Sequence, residues 1–215
     1  MDAAKLQGKI YSGYDKAARR IGYVVDQFRP STAANPLSPA NKLRSFNASF
    51  NAEDMTYSKP NKYGSPRWYG LFDGRLTQVG DYLKSPQDGT FFIAAQQTAL
   101  PILCIDCNRT INVLRPQQET GIGAQPYGGD ISTNETQIMT QWPASILQGT
   151  KGEKSESALP GDVRMAWWII LLPYWAGVVL RSDDIITDEL NRRYVLSSVE
   201  LSDLGWRCTG MQVQT

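Results

Sequence analysis

Apolar positions along this chain recur with two different periods, and the change of period divides it. At the start, Leu6, Ile10, Tyr14, Ala17 and Ile21 share one helical face, with Lys5, Lys9, Lys16, Arg19 and Arg20 around the remainder. That spacing predicts a basic amphipathic helix over residues 1–22, with Asp2 as N-cap and Gly22 as the stop. Gly8 and Gly13 lie inside it, and each glycine costs a helix about 1 kcal/mol relative to alanine. The helix therefore needs a surface to hold it.

Beyond Gly22 the spacing shifts toward two. Tyr23-Val-Val-Asp-Gln-Phe28 reads as a strand ended by Arg29-Pro30, and Phe46, Ala48 and Phe50 alternate with polar residues in a second, over 43–50. Further strands are expected over 68–72, 75–83, 91–95, 102–107 and 110–114, with turns at Asp73-Gly74, Ser85-Pro-Gln-Asp-Gly89 and Asn108-Arg109. Residues 117–161 read as a linker holding Gly121, Gly123, Gly128 and Gly129, a short helix over 134–141 and the charged loop Lys151-Gly-Glu-Lys-Ser-Glu156.

The most hydrophobic run covers 165–180. It is too short for a membrane helix, which needs roughly 20 residues, and Pro173 interrupts it. Two buried strands turning at Pro173 are expected instead, with Trp167, Trp168 and Trp175 supplying most of the core of the second half. The tail, 177–215, reads as an apolar strand, an acidic turn, a strand over 193–200, a Ser-Asp-Leu-Gly turn and a closing strand over 206–214.

The expected fold is mainly β with an N-terminal α-helix: an antiparallel β-barrel or sandwich built from two similar β-units, with long loops. Its parts are the helix (1–22), a first β region (23–116), the linker (117–161) and a C-terminal β-unit completing the barrel or sandwich (162–215). Sliding the first β region onto the second without gaps at an offset of 103 sets Gly74 on Gly177, Asp81 on Asp184, Tyr82-Leu83 on Ile185-Ile186, and 91–95 on 194–198. Either a β-unit was duplicated or two hairpins obey the same turn rules, and two hairpins of one composite structure is the favoured reading.

Composition is that of a folded chain, 41% hydrophobic and 20% charged, and the net charge of +1 conceals an asymmetry. Residues 1–116 carry 15 Lys and Arg against 9 Asp and Glu, whereas 117–215 carry 7 against 12. Such a division fits basic-on-acidic packing between identical copies. It makes Lys9, Lys16, Arg19 and Arg20 on one side, and Asp183, Asp184, Asp188 and Glu189 with Arg192 and Arg193 on the other, candidate subunit-interface residues.

Histidine is absent, which removes every Ser-His-Asp, Cys-His and His-metal scheme. Cys104 and Cys107 have CxxC spacing but no second pair, and their surroundings read as a strand, so they are structural. The paired acids Asp183/Asp184 and Asp188/Glu189 could in principle serve a carboxylate hydrolase, but adjacent acids on one turn do not converge across a cleft. Lys62-Tyr63, Arg67-Trp68-Tyr69 and Phe72 mix basic and aromatic residues, as a β-barrel binding single-stranded nucleic acid would. No catalytic residue, metal or cofactor is expected.

Ser182-Asp-Asp-Ile-Ile-Thr-Asp188, followed by Arg192-Arg-Tyr-Val-Leu196 and Leu204-Gly-Trp-Arg207, resembles the closing β-barrel motif of tailed-phage neck proteins of the head-closure or head–tail connector class. Trp142-Pro-Ala-Ser145, Leu159-Pro-Gly-Asp162 and Phe92-Ile-Ala94 are similar to segments of phage structural proteins. The resemblance implies a non-enzymatic virion protein of the neck or tail, assembled in the host cytoplasm. It implies a ring of about six or twelve copies around the DNA channel. Portal, adaptor or other tail proteins would be its neighbours, with non-specific contact to packaged DNA and no membrane.

Overall fold

A computed structural model describes residues 2–52, 64–117, 134–149 and 167–213. Helix α1, Ala3–Ile21, precedes two closed antiparallel barrels of six strands each. The first holds β1 (Tyr23–Phe28), β2 (Lys42–Asn51), β3 (Arg67–Leu71), β4 (Tyr82–Ser85), β5 (Gly89–Ala95) and β6 (Ile102–Cys107), in the order β1-β2-β3-β6-β5-β4. The second holds β7 (Arg109–Pro116), β8 (Glu135–Gln148), β9 (Trp167–Leu172), β10 (Ile185–Asp188), β11 (Arg193–Ser202) and β12 (Gly205–Val213), in the order β7-β8-β9-β12-β11-β10. The two orders are the same order, shifted by six strands. The expectation of a mainly β fold with two similar units holds, and the units are two complete barrels in place of two hairpins of one structure.

Strand registers align the copies residue by residue. Tyr23 pairs with Ala48 in the first barrel and Arg109 with Ala144 in the second; Trp68 pairs with Cys104, and Trp168 with Gly210. Both copies carry a β-bulge at the same place, between Ile93 and Ala95 and between Leu196 and Ser198. Bulges mark particular positions in a barrel, so a shared one points to a shared plan. Under this alignment Arg29-Pro30 matches Arg115-Pro116, Ala48-Ser49 matches Ala144-Ser145, Trp68 matches Trp168 and Asp81 matches Asp184. Trp68 meets Phe91 edge-on at 6.0 Å, and Trp168 meets Tyr194, the counterpart of Phe91, edge-on at 5.7 Å.

Several boundaries differ from the sequence reading. Residues 109–116 belong to the second barrel, so the division between β regions falls at Asn108. Residues 75–81, expected as strand, are turn and loop, and β4 begins at Tyr82. Residues 134–141, expected as a helix in a linker, form, from Glu135 on, the first half of the fourteen-residue strand β8. Its alternation is broken by bulges opposite Ile111, Val113 and Leu114 and by a positive φ of 54° at Gln141, which hides the period of two. The strand expected between Pro173 and Leu180 is coil and turn, and Ile185–Asp188, read as part of an acidic turn, is strand β10. The Gly121–Gly129 glycines, the Lys151-to-Glu156 loop, Leu159-to-Asp162 and Lys62-Tyr63 lie outside the described residues.

The first barrel is filled by Val25, Ala48, Phe50, Phe72, Leu83, Phe91, Ile93, Ile102 and Cys104. Helix α1 adds Tyr11 to this core, with Ile10 and Tyr14 packed beside it, while Leu6 and Ile21 are exposed. The buried face of the helix is therefore centred on Tyr11 and Ala18, rotated from the face the apolar spacing suggested. The Asp2 carboxylate caps it by accepting from the Ala4 amide at 3.2 Å. Gly22 ends it in extended conformation, where a Cβ would stand 2.3 Å from the Ala48 carbonyl oxygen. The glycine permits that close approach of helix end to strand.

A second core joins the barrels. Phe28, Tyr82, Phe92, Ala94 and Ile105 point out of the first barrel and are buried with Ile111, Val113, Met139, Trp142, Ile170, Ile186 and Tyr194 of the second. Strands β4, β5 and β6 are thus covered on both faces, which accounts for unbroken apolar runs such as Phe91-Phe-Ile-Ala-Ala95. At the seam the Tyr82 hydroxyl donates to the Pro143 carbonyl at 2.8 Å, and its ring meets Trp142 edge-on at 6.1 Å. Trp142 is fully buried, whereas Trp167, Trp168 and Trp175 are half-buried, so the central tryptophan of the second half is not among the three expected.

Candidate functional site

The polar groups set deepest in each barrel form one repeated arrangement. Asp81 precedes β4 and is fully buried; its carboxylate accepts from Arg29 Nε at 2.7 Å and Nη2 at 2.8 Å, from Gln27 Nε2 at 2.6 Å and from the Gln78 amide at 3.0 Å. Asp184 precedes β10 and accepts from Arg115 Nε and Nη2, both at 2.8 Å, and from the Arg181 amide at 2.7 Å. Each arginine stands at the end of the first strand of its barrel and clamps the residue just before the fourth. Two parallel N–H bonds to one carboxylate fix orientation as well as distance. Pairing with Asp184 raises Arg115 above the ordinary guanidinium value, as pairing with Asp81 does for Arg29.

The backbone around each aspartate repeats as well. Gly80 and Asp183 both have positive φ, 91° and 70°, and their amides donate to Ile93 and Leu196 at 2.9 Å in each case. Ile93 and Leu196 return amides to the Asp81 and Asp184 carbonyls, both at 3.0 Å. At the other end of the same strands, Ser85 Oγ accepts from the Gln87 and Asp88 amides, and Asp188 Oδ1 from the Leu190 and Arg192 amides. Serine in one copy and aspartate in the other close the hairpin turn in the same way.

These contacts revise the acidic set of candidate interface residues. Asp184 and Asp188 are buried and hold loops of their own chain, so neither forms part of an outer surface. Asp188 also receives the Tyr194 hydroxyl at 3.3 Å. Asp183 and Glu189 are exposed, and Glu189 accepts from the Thr110 amide at 2.8 Å. Arg192 is half-buried, and Arg193 pairs with Glu135 of β8. On the other side Lys9, Lys16, Arg19 and Arg20 are exposed as expected, Arg19 bonding Asp15 at 3.0 Å one helical turn away. The acidic and basic sets therefore differ in kind: the helix presents its charge to solvent, while half of the acids are internal.

Cys104 and Cys107 lie on β6, in the strand context read from the sequence, and Cys208 lies on β12; all three are free thiols. Burial pushes the Cys104 and Cys107 thiols well above their ordinary range and Cys208 up to about 12. Among the described residues no group of three or more His, Cys, Asp or Glu converges as metal ligands would. Of the aromatic set considered for nucleic acid, Phe72 is fully buried and Trp68 packs on Phe91 inside the first barrel, which leaves Arg67 exposed and Tyr69 half-buried. No helix among the described residues is long and apolar enough to cross a membrane.

The arginine clamps were missed in the sequence because arginine and aspartate stand 52 and 69 residues apart in the two copies. The repeated Arg-Pro dipeptide at 29–30 and 115–116 was the available signal. No family model matches this chain, and no curated protein or solved structure matches it.

Proposed function

We propose that this chain is a non-enzymatic structural subunit of a tailed-phage virion, part of the ring-shaped head–tail connector or tail through which DNA passes. The observation that carries the reading is where the resembling residues fall. Residues 182–188, 192–196 and 204–207 lie on or beside β10, β11 and β12, three neighbouring strands of one closed barrel. A closed barrel satisfies its backbone groups internally and offers only side chains and loops to neighbours, which suits a rigid part in an assembly.

Charge supports the same reading. Helix and first barrel, 1–107, carry 13 Lys and Arg against 9 Asp and Glu, while 108–215 carry 9 against 12. The two halves of the chain thus differ in sign, as head-to-tail contact between copies favours. Electron microscopy of the particle tests the proposal: density for this chain is expected as a ring at the neck or tail, and its recovery only as free protein from infected cells would overturn it.

A further inference from the structure

The duplication makes one surface of the molecule interpretable. In the first barrel, Phe28, Tyr82, Phe92 and Ile105 pair in turn across β1, β4, β5 and β6, forming one outward row. That row is buried against the second barrel. The same row in the second barrel is Leu114, Ile185, Val195 and Met211, paired in the same succession across β7, β10, β11 and β12. Every position in it is apolar. Cys107, also packed at the seam, has Val213 as its counterpart.

Yet among the described residues no third barrel covers this second row. Ile185 is buried within the chain and Leu114 and Val195 are half-buried, but Met211 and Val213 are 40% and 42% exposed. Apolar side chains at the end of a sheet row that its twin buries completely call for a partner of the same shape.

The contact between the barrels is heterologous: β4, β5 and β6 of the first meet β8 of the second, with Tyr82 on Trp142 and Pro143. Among the described residues, no barrel lies against the first kind of surface on the second barrel, nor against the second kind on the first, where helix α1 packs only near the Ala48 end of β2. The strand equivalent to β8 is β2, where Leu43 is 45% exposed beside Lys42 and Arg44, and Val24 on neighbouring β1 is 55% exposed.

We infer that the outer face of β10, β11 and β12, centred on Val195, Met211 and Val213, docks on the β1 and β2 face of the first barrel of a second copy of this chain. The contact repeats between chains the one made within each chain. Heterologous contacts of this kind close into a ring where the rotation permits and otherwise extend as a filament. The inference rests on the self-assembly part of the reading above and is independent of the place in a particle.

Two single substitutions at exposed positions test it, Met211→Glu on the donor face and Leu43→Glu on the receiving face, with Val213→Lys as a second donor-face variant. Thermal unfolding checks that each is folded, and light scattering after size exclusion at about 100 μM chain reads the assembly. The parent chain should form oligomers and each variant should be a monomer. An equimolar mixture of Met211→Glu and Leu43→Glu should give a dimer and nothing larger, because one intact face of each kind remains. A monomeric parent, a folded variant that assembles like the parent, or a mixture that stays monomeric would overturn the inference. Assembly by this face in a chain missing from particles counts against the location alone; a neck ring that survives Met211→Glu counts against the face alone.

Discussion

Asp81 and Asp184 stand at one position of a barrel that the chain contains twice, each receiving a two-pronged arginine and an amide three residues upstream. The copies differ in how they satisfy the next carbonyl. Gln27 Nε2 donates to the Leu76 carbonyl at 3.0 Å in the first, whereas Arg115 Nη2 donates to its counterpart, Val179, at 2.8 Å in the second. The residue matching Gln27 is Val113, which has nothing to donate, and the arginine takes over the bond. Position is kept while the donor changes, as expected where the loop geometry matters more than any one contact.

Helix docking gives a prediction of opposite signs at two glycines. Gly13 has open space where a Cβ would stand, so Gly13→Ala should stabilise by up to about 1 kcal/mol through helix propensity. Gly22→Ala forces a Cβ onto the Ala48 and Ala18 carbonyl oxygens and should destabilise by about 1–3 kcal/mol. Urea midpoints of the two variants against the parent check both.

The two periods of the chain were legible, and with them the helix, β1 and β6 at their observed limits. The duplication was only half legible. An ungapped offset of 103 fits β4 and β5 alone, because the separation of equivalent residues grows along the chain: 86 for Arg29 and Arg115, 96 for Ala48 and Ala144, 100 for Trp68 and Trp168, and 103 for Asp81 and Asp184. Longer connections in the second copy shift every later strand. The burial of Asp184 and Asp188 was hidden for a different reason: adjacent acids on a turn look solvated until the distant Arg115 and the local amides they bind are placed.

Two aspartates of the first barrel should respond to acid in opposite directions. Hydrogen bonds from Arg75 hold Asp73 below its ordinary value of 3.8, so its contribution to stability is complete above that value and is lost as pH falls through the lower folded one. Asp73→Asn should therefore weaken the fold at neutral pH, with the difference from the parent closing in acid. Burial, with the Asp88 charge second, raises Asp106 above 3.8, so its ionised form opposes folding above the raised value. Asp106→Asn should strengthen the fold at neutral pH, and that gain should shrink as pH falls below the raised value and be gone below 3.8. Urea midpoints followed from about pH 7 to pH 3 separate the two.

The repeated arginine clamp is the central claim, and double-mutant cycles measure it in both barrels of the same chain. Arg29→Ala with Asp81→Ala, and Arg115→Ala with Asp184→Ala, should each show a favourable coupling of about 1–3 kcal/mol, of similar size in the two cycles. A coupling near zero in either barrel would contradict the account.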